Sequence, residues 1–89
     1  MNIFELLALR GARIALLELR ERGGMRYSDL AKAVGHSTTT SRALNAMEGM
    51  GLVKREVLAE KYRPVVYSLT EKGERLAEIA LTLRDFEEE

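Results

Sequence analysis

The chain has 89 residues, which is enough for one compact domain and too few for two. Its composition, 46% hydrophobic and 31% charged, is that of a globular protein and excludes an intrinsically disordered chain. The formal net charge of zero conceals an asymmetry, because residues 22–63 hold eight basic and four acidic side chains, whereas residues 64–89 hold three basic and seven acidic ones.

Several classes of protein are disfavoured by what the sequence lacks. Without cysteine there is no disulfide or thiolate metal site, and a reducing cytoplasm is the expected location. No stretch reaches the roughly 20 apolar residues that cross a bilayer, and no basic residue precedes the first apolar run as in a signal peptide. The single histidine, His36, has no partner for a metal site, so we expect a turn residue or a phosphate contact.

The sequence also gives no sign of catalysis. It pairs no nucleophile with a nearby base and has no glycine-rich loop opening a helix, so we expect neither an enzyme nor a cofactor. Met25, Met47 and Met50 suit either an effector pocket or, more commonly, a hydrophobic core.

Apolar residues at helical spacing predict a first helix over residues 3–22, ended by Gly23 and Gly24. They form two stripes, one of Ile3, Leu6, Leu7, Ile14 and Leu17 and one of Leu9, Ala12, Leu16 and Leu19. A helix with two apolar stripes must bury both, so one of them is expected to meet a second subunit. Gly11 is expected either to break this helix or to let it pack closely.

Residues 28–50 have the pattern of a helix-turn-helix. Residues 25–27 suit a short strand, Ser28 is a suitable N-cap for a short helix, and Gly35 and His36 form the turn. Ser37 then suits the N-cap of a second helix that reaches Met50. Two short helices joined by a short glycine-containing turn are typical of this motif.

The rest of the chain predicts a hairpin and a final helix. Residues 52–58 and 64–69 form two predicted strands around a polar, basic link, so residues 52–69 form a wing. Thr70 is expected to cap a helix over residues 70–86 with an apolar stripe of Leu76, Ile79, Ala80, Leu83 and Phe86. The predicted fold is mainly α with a small β-hairpin (α+β): one winged helix-turn-helix domain, residues 1–89, with N- and C-terminal dimerisation helices.

The helix after Ser37 has the side chains of a DNA-reading helix. Thr40, Ala43, Leu44 and Met47 fall on the core side, which leaves Thr38, Ser41, Arg42, Asn45 and Gly49 on the other. Arginine can donate two hydrogen bonds to guanine, asparagine can pair with adenine, and serine or threonine can contact phosphate or a thymine methyl group. A merely solvated helix face is the alternative interpretation of the same residues.

Three segments resemble known regulators. Residues 38–53 resemble the recognition helix and following strand of MarR-type regulators, and Tyr67-Ser68-Leu69-Thr70-Glu71-Lys72-Gly73 resembles their passage from the second wing strand to the last helix. Residues 11–19 are similar to the helix that opens HxlR-type domains. The resemblance implies a winged-helix fold, dimerisation through the terminal helices, and palindromic operator DNA with the recognition helix in the major groove and the wing in the minor groove.

By that resemblance Arg42 matches the recognition-helix arginine and Arg63 the wing arginine. Thr40 departs from the usual aliphatic residue, and the wing lacks the acidic pair common in MarR proteins. The predicted DNA-binding residues are Ser37, Thr38, Thr39, Ser41, Arg42, Asn45, Lys61 and Arg63. The predicted dimerisation residues are Ile3, Phe4, Leu7, Leu76, Ile79, Leu83 and Phe86.

Two hypotheses about function follow. The first is a homodimeric, sequence-specific regulator that binds double-stranded DNA at a pseudo-palindromic operator, as the polar helix face and the basic wing suggest. The second is a winged-helix module that binds protein and not DNA, as the zero net charge and the acidic C-terminal segment suggest.

Overall fold

A computed structural model describes all of residues 1–89 and contains five helices and a small sheet. In chain order the elements are α1 (Ile3–Leu7), α2 (Arg10–Arg22), β1 (Met25–Arg26), α3 (Tyr27–Val34), α4 (Ser37–Gly49), β2 (Val53–Val57), β3 (Val65–Leu69) and α5 (Glu71–Glu87). The predicted α+β winged-helix fold is confirmed.

The predicted first helix over residues 3–22 is wrong in one respect, because the structure divides it into α1 and α2. Asn2 caps the start of α1 with a capping box shared with Glu5, and the helix ends at Leu7 with Ala8 as its C-cap. Leu9 then adopts an extended backbone (φ −81°, ψ 116°) and precedes α2. Since Leu6 is buried and Leu9 packs against the same core, the apolar spacing continues through the break and does not reveal it.

Helix α2 runs through the centre of the domain and packs against α3, α4, α5 and β3. Its buried residues are Gly11, Ala12, Ala15, Leu16 and Leu19. The second predicted stripe therefore supplies the core, whereas Ile14 and Leu17 of the first stripe stay partly exposed. Gly11 does not break the helix; a Cβ atom there would lie 3.0 Å from Thr39 Cγ2, so glycine permits close packing against α4.

The N-caps of the two helix-turn-helix helices differ from the predicted ones. Helix α3 begins directly after β1, with Arg26 as its N-cap, so Ser28 lies inside the first turn. Helix α4 is capped by His36, whose Nδ1 accepts a hydrogen bond from the Thr39 backbone N–H at 3.4 Å. Because the usual N-cap residues are serine, threonine, aspartate and asparagine, the sequence pointed to Ser28 and Ser37 instead.

The three strands form one antiparallel sheet in the order β1-β3-β2. Strands β2 and β3 are the wing hairpin, in a register that pairs Arg55 with Tyr67, and Tyr67 also pairs with Met25 of β1. The short β1 thus ties the start of the helix-turn-helix to the inner strand of the wing.

Helix α5 is buried only along its first turns. Thr70 is its N-cap as predicted, and the Thr70 Oγ1 atom accepts from the Gly73 N–H at 3.1 Å. The predicted assignment of Leu76 to a dimer surface is corrected, because this side chain is 7% exposed and belongs to the core of the chain itself. Ile79, Leu83 and Phe86 remain exposed. No helix, α5 included, is long and apolar enough to span a membrane.

Gly73 lies where α5 meets the end of the Met50–Leu52 turn. A Cβ atom at Gly73 would overlap the Leu52 carbonyl oxygen, at 2.0 Å. We expect Gly73→Ala to destabilise the fold by about 1–3 kcal/mol, because backbone must shift to relieve the overlap. In the matched control Gly49→Ala, nothing lies within 4 Å of the new methyl group. That variant should be stabilised by up to about 1 kcal/mol, since alanine favours helix. Urea unfolding measures both; equal effects would contradict the packing argument.

Candidate nucleic-acid interface

Helix α4 has one buried and one exposed face, as the sequence predicts. Thr40, Ala43, Leu44 and Met47 are buried in the domain. The exposed residues that were predicted to bind DNA are Thr38, Arg42 and Asn45 on the opposite side and Ser37 at the first position of the helix. The helix therefore offers solvent a face with one guanidinium group, one carboxamide and two hydroxyl groups.

The buried Thr40 explains a departure from the usual pattern. Its Oγ1 donates a hydrogen bond to the His36 backbone carbonyl at 2.8 Å, one turn earlier. The hydroxyl group is therefore satisfied, and no buried side-chain polar atom in the structure lacks a partner. Thr40 thus replaces an aliphatic side chain and also fixes the first turn of α4.

Thr39 and Ser41 differ from the other predicted DNA-binding residues because both are half-buried. Thr39 rests on Gly11 of α2. The Ser41 Oγ atom lies 2.7 Å from the Tyr27 hydroxyl group, which also donates to the Ser37 backbone carbonyl at 3.0 Å. Because the single Tyr27 proton goes to that carbonyl, Ser41 must donate its own proton to Tyr27. These two residues orient α4 within the domain.

Two side chains that the sequence analysis missed hold the helix-turn-helix together. Tyr27 connects α3 to the N-terminal turn of α4 through the bonds just described. Arg10, at the start of α2, donates from Nη1 to the Val34 carbonyl at 2.9 Å, at the C-terminal end of α3. Tyr27 could have been identified from its place at the start of α3, but Arg10 could not, since its partner is a backbone atom 24 residues away.

The wing tip is a tight turn with an unusual backbone. The Arg63 N–H donates to the Glu60 carbonyl at 3.0 Å, and Arg63 has a left-handed φ of 45°. Lys61, Tyr62 and Arg63 are all exposed, Tyr62 to 85%. The Lys61 ammonium group lies 5.6 Å from the centre of the Tyr62 ring, close enough for a cation–π contact. Both predicted wing cations, Lys61 and Arg63, therefore project into solvent.

The positive charge of this region is not neutralised within the protein. Half of the 14 lysines and arginines form no ion pair and donate no side-chain hydrogen bond, and six of these seven lie in residues 22–63: Lys32, Arg42, Lys54, Arg55, Lys61 and Arg63. The acidic α5 is different, because Arg20 pairs with Glu74 at 3.1 Å and with Glu78 at 3.4 Å. The unpaired cations are thus concentrated on the helix-turn-helix and the wing.

An exposed polar helix on a helix-turn-helix, followed by a basic hairpin, defines a winged helix-turn-helix domain of the kind found in transcriptional regulators. The chain belongs to the HxlR-like helix-turn-helix family, whose model matches residues 6–89. No curated protein matches its sequence significantly.

Solved structures of transcriptional regulators share this fold. Reduced YodB from Bacillus subtilis is 25% identical with a TM-score of 0.80, over 93% of this chain and 82% of YodB. The putative regulator YtfH from Salmonella typhimurium is 28% identical with a TM-score of 0.84, over 97% and 78%. MepR, which regulates a multidrug efflux pump of Staphylococcus aureus, is 26% identical with a TM-score of 0.75, over 88% and 58%. The family suggested by the sequence motifs is confirmed.

The hydrogen bonds of Tyr27 give a test of how α4 is held. We expect Tyr27→Phe to lower the free energy of unfolding by about 1–3 kcal/mol, since it removes two hydrogen bonds worth roughly 0.5–1.5 kcal/mol each. The matched control is Tyr62→Phe, because the exposed Tyr62 hydroxyl group has no partner in the protein. Urea denaturation followed by circular dichroism should show a change for Tyr27→Phe only; two unchanged curves would argue against the assignment.

Proposed function

We propose that the protein is a sequence-specific transcriptional regulator that binds double-stranded DNA, with α4 in the major groove and the wing at the adjacent minor groove. The observation that carries the proposal is the exposed face of α4, where Arg42 and Asn45 are open to solvent and Arg42 forms no ion pair, beside a hairpin with unpaired cations. Binding to DNA, rather than catalysis, is the activity these groups support, and the cytoplasm is the proposed location.

The structure suggests different roles for the predicted residues. Arg42 suits a bidentate contact to guanine, and Asn45, almost one turn later on the same face, suits adenine. Ser37 and Thr38, at the exposed start of α4, suit phosphate or thymine contacts. Lys61 and Arg63 suit the phosphates that flank the minor groove. Thr39 and Ser41 act indirectly, because their side chains hold the helix in place.

We also propose that the regulator acts as a homodimer. Phe4 is 84% exposed, and Ile79, Leu83 and Phe86 present apolar surface along α5. Beside them, Leu7, Ile14, Leu17 and Ala80 line a groove between α5 and the first two helices, and Ile3 is half-buried nearby in α1. A second copy would cover this surface and place two α4 helices on one duplex, so the operator is expected to be pseudo-palindromic with half-sites about 10 base pairs apart.

Replacing Arg42 tests base reading directly. We expect Arg42→Ala to weaken binding to an operator selected from random duplexes by about 1–3 kcal/mol, which is the discrimination of one good bidentate contact. A second selection with the variant should show a relaxed preference at one position of each half-site. Arg75→Ala is the control, because Arg75 is also exposed but lies on α5, pairs only with Glu71 of the same helix and does not line the groove assigned to the dimer. Similar losses for both variants would contradict base reading by Arg42.

The wild-type protein decides between the two hypotheses. A regulator should bind operator DNA with an affinity that falls steeply as salt is added, because phosphate contacts release counterions. Complete absence of binding to any selected duplex at low salt would overturn the proposal and favour the protein-binding module.

Dimerisation is tested at Leu83, which is 54% exposed in the monomer. We expect Leu83→Glu to shift the protein from dimer to monomer in sedimentation equilibrium and to weaken operator binding, while the stability of the fold is kept. By contrast, Leu76→Ala should lower the free energy of unfolding by about 2–5 kcal/mol, because it leaves a cavity in the core. A wild-type monomer at micromolar concentration would rule out the proposed assembly.

A further inference from the structure

The wing tip carries a large aromatic side chain to which the proposed DNA contacts give no role. Tyr62 is 85% exposed, more than any other large hydrophobic side chain of the protein. A single exposed ring is common on protein surfaces, so its exposure alone indicates no partner. Its position is more informative, because Tyr62 and Lys61 are the two central residues of the turn that joins the wing strands.

The backbone of this turn is restricted at several points. The Leu58 N–H donates to the Pro64 carbonyl at 3.0 Å, and the Arg63 N–H donates to the Glu60 carbonyl at 3.0 Å. The exposed Glu60 carboxylate also lies 3.7 Å from the Arg26 guanidinium group of the neighbouring strand β1, as a weak ion pair. A turn that is already closed loses little conformational freedom on binding, so the ring is presented in a preformed position.

The charges beside the ring indicate the chemistry of its partner. Lys61 and Arg63 flank Tyr62 in the chain, and neither forms an ion pair. An apolar protein surface that covered the ring would have to remove both cations from water, which is costly. The minor groove of DNA, about 6 Å wide, offers phosphates to the cations along its two edges and bases to the ring between them.

The contact between Lys61 and the ring does not prevent this. The Lys61 ammonium group lies 5.6 Å from the centre of the Tyr62 ring, and a cation–π contact at an exposed site is weak. Lys61 can therefore leave the ring for a phosphate when DNA approaches.

An aromatic ring and an arginine act differently in a minor groove. Apolar side chains that enter this groove are often inserted at a base step, which they partly unstack and kink. Pyrimidine–purine steps such as TA and CA unstack most easily, whereas an inserted arginine favours the narrow groove of a stiff A-tract. We propose that the Tyr62 ring inserts at a base step of the operator beside the wing and selects a flexible pyrimidine–purine step there. The inference rests on the proposed function and adds to it a specificity-determining residue outside α4.

The first test separates the ring from the charges beside it. The full-length wild type, Tyr62→Ala, Tyr62→Phe and Lys61→Gln are titrated by fluorescence anisotropy against the selected operator at several KCl concentrations. We expect Tyr62→Ala to weaken binding about tenfold. Its slope of log K against log[salt] should stay unchanged, because an apolar ring releases no counterions. Lys61→Gln should lower that slope by about 0.9 per bound protomer, and Tyr62→Phe should recover most of the affinity lost in Tyr62→Ala.

The second test measures the preference for a base step. Operators are built with a TA, CA, GC or AA step at each position that flanks a half-site, and 2-aminopurine is placed next to the preferred step. Wild type should bind a TA or CA step most tightly and should brighten the 2-aminopurine, because this base fluoresces more strongly when it is unstacked. Tyr62→Ala should lose both the preference and the brightening.

The outcomes distinguish the ring insertion from the proposed function. If the wild type binds the operator and Tyr62→Ala binds it equally well, the insertion is overturned and the regulator stands. A preference for an A-tract that persists in Tyr62→Ala would also overturn it, since that pattern is expected of Arg63 alone. If the wild type binds no duplex, both proposals fail. Thermal unfolding followed by circular dichroism should show that Tyr62→Ala keeps its fold, because the exposed ring contributes nothing to the core.

Discussion

The close contact between α2 and α4 is the constraint on which the rest of the structure depends. At Gly11 the two helices approach so closely that an added methyl group would lie 3.0 Å from Thr39 Cγ2 and 3.3 Å from Ala43 Cβ. Since residues four apart share one face of a helix, seating Thr39 and Ala43 on α2 turns Asn45 away from α2, while Arg42 stays exposed at the edge of the contact, beside Gly11 and Thr39. A single glycine on a buried helix thereby sets the rotation of the helix proposed to read DNA.

Hydrogen bonds hold the first turn of α4, which the packing on α2 alone does not fix. Apolar contacts fix the rotation of α4 but leave its first turn free to fray, as helix ends do. Tyr27, His36 and Thr40 bind backbone or side-chain atoms of that turn, and Arg10 binds the last carbonyl of α3 across the helix-turn-helix. The predicted DNA-binding face thus projects from a helix held at both its buried side and its N-terminus, which favours a preformed reading surface over one ordered by DNA.

The elements that the sequence predicts well are those with local causes. The buried face of α4, the two wing strands and the Thr70 cap follow from periodicity, β-branched residues and capping chemistry within a few residues. The break at Leu9 could not be predicted, because the apolar spacing suits one helix or two. Leu76 could not be separated from Ile79 and Leu83 by spacing either, since only the tertiary packing of α5 decides where its stripe leaves the core. The contacts of Arg10 and the Arg26–Glu60 pair join residues that are far apart in the chain, so they cannot be predicted from a single sequence.

The zero net charge is compatible with DNA binding once the positions of the charges are considered. Exposed charges are screened over about 8 Å at physiological ionic strength, whereas the molecule is 47 Å long. A bound duplex therefore responds to the nearest side chains and not to the sum over the chain. Near α4 and the wing these are mainly unpaired cations, while two of the acids on α5 pair with Arg20. The acidic C-terminal helix can thus carry the proposed assembly surface without abolishing the attraction at the other elements.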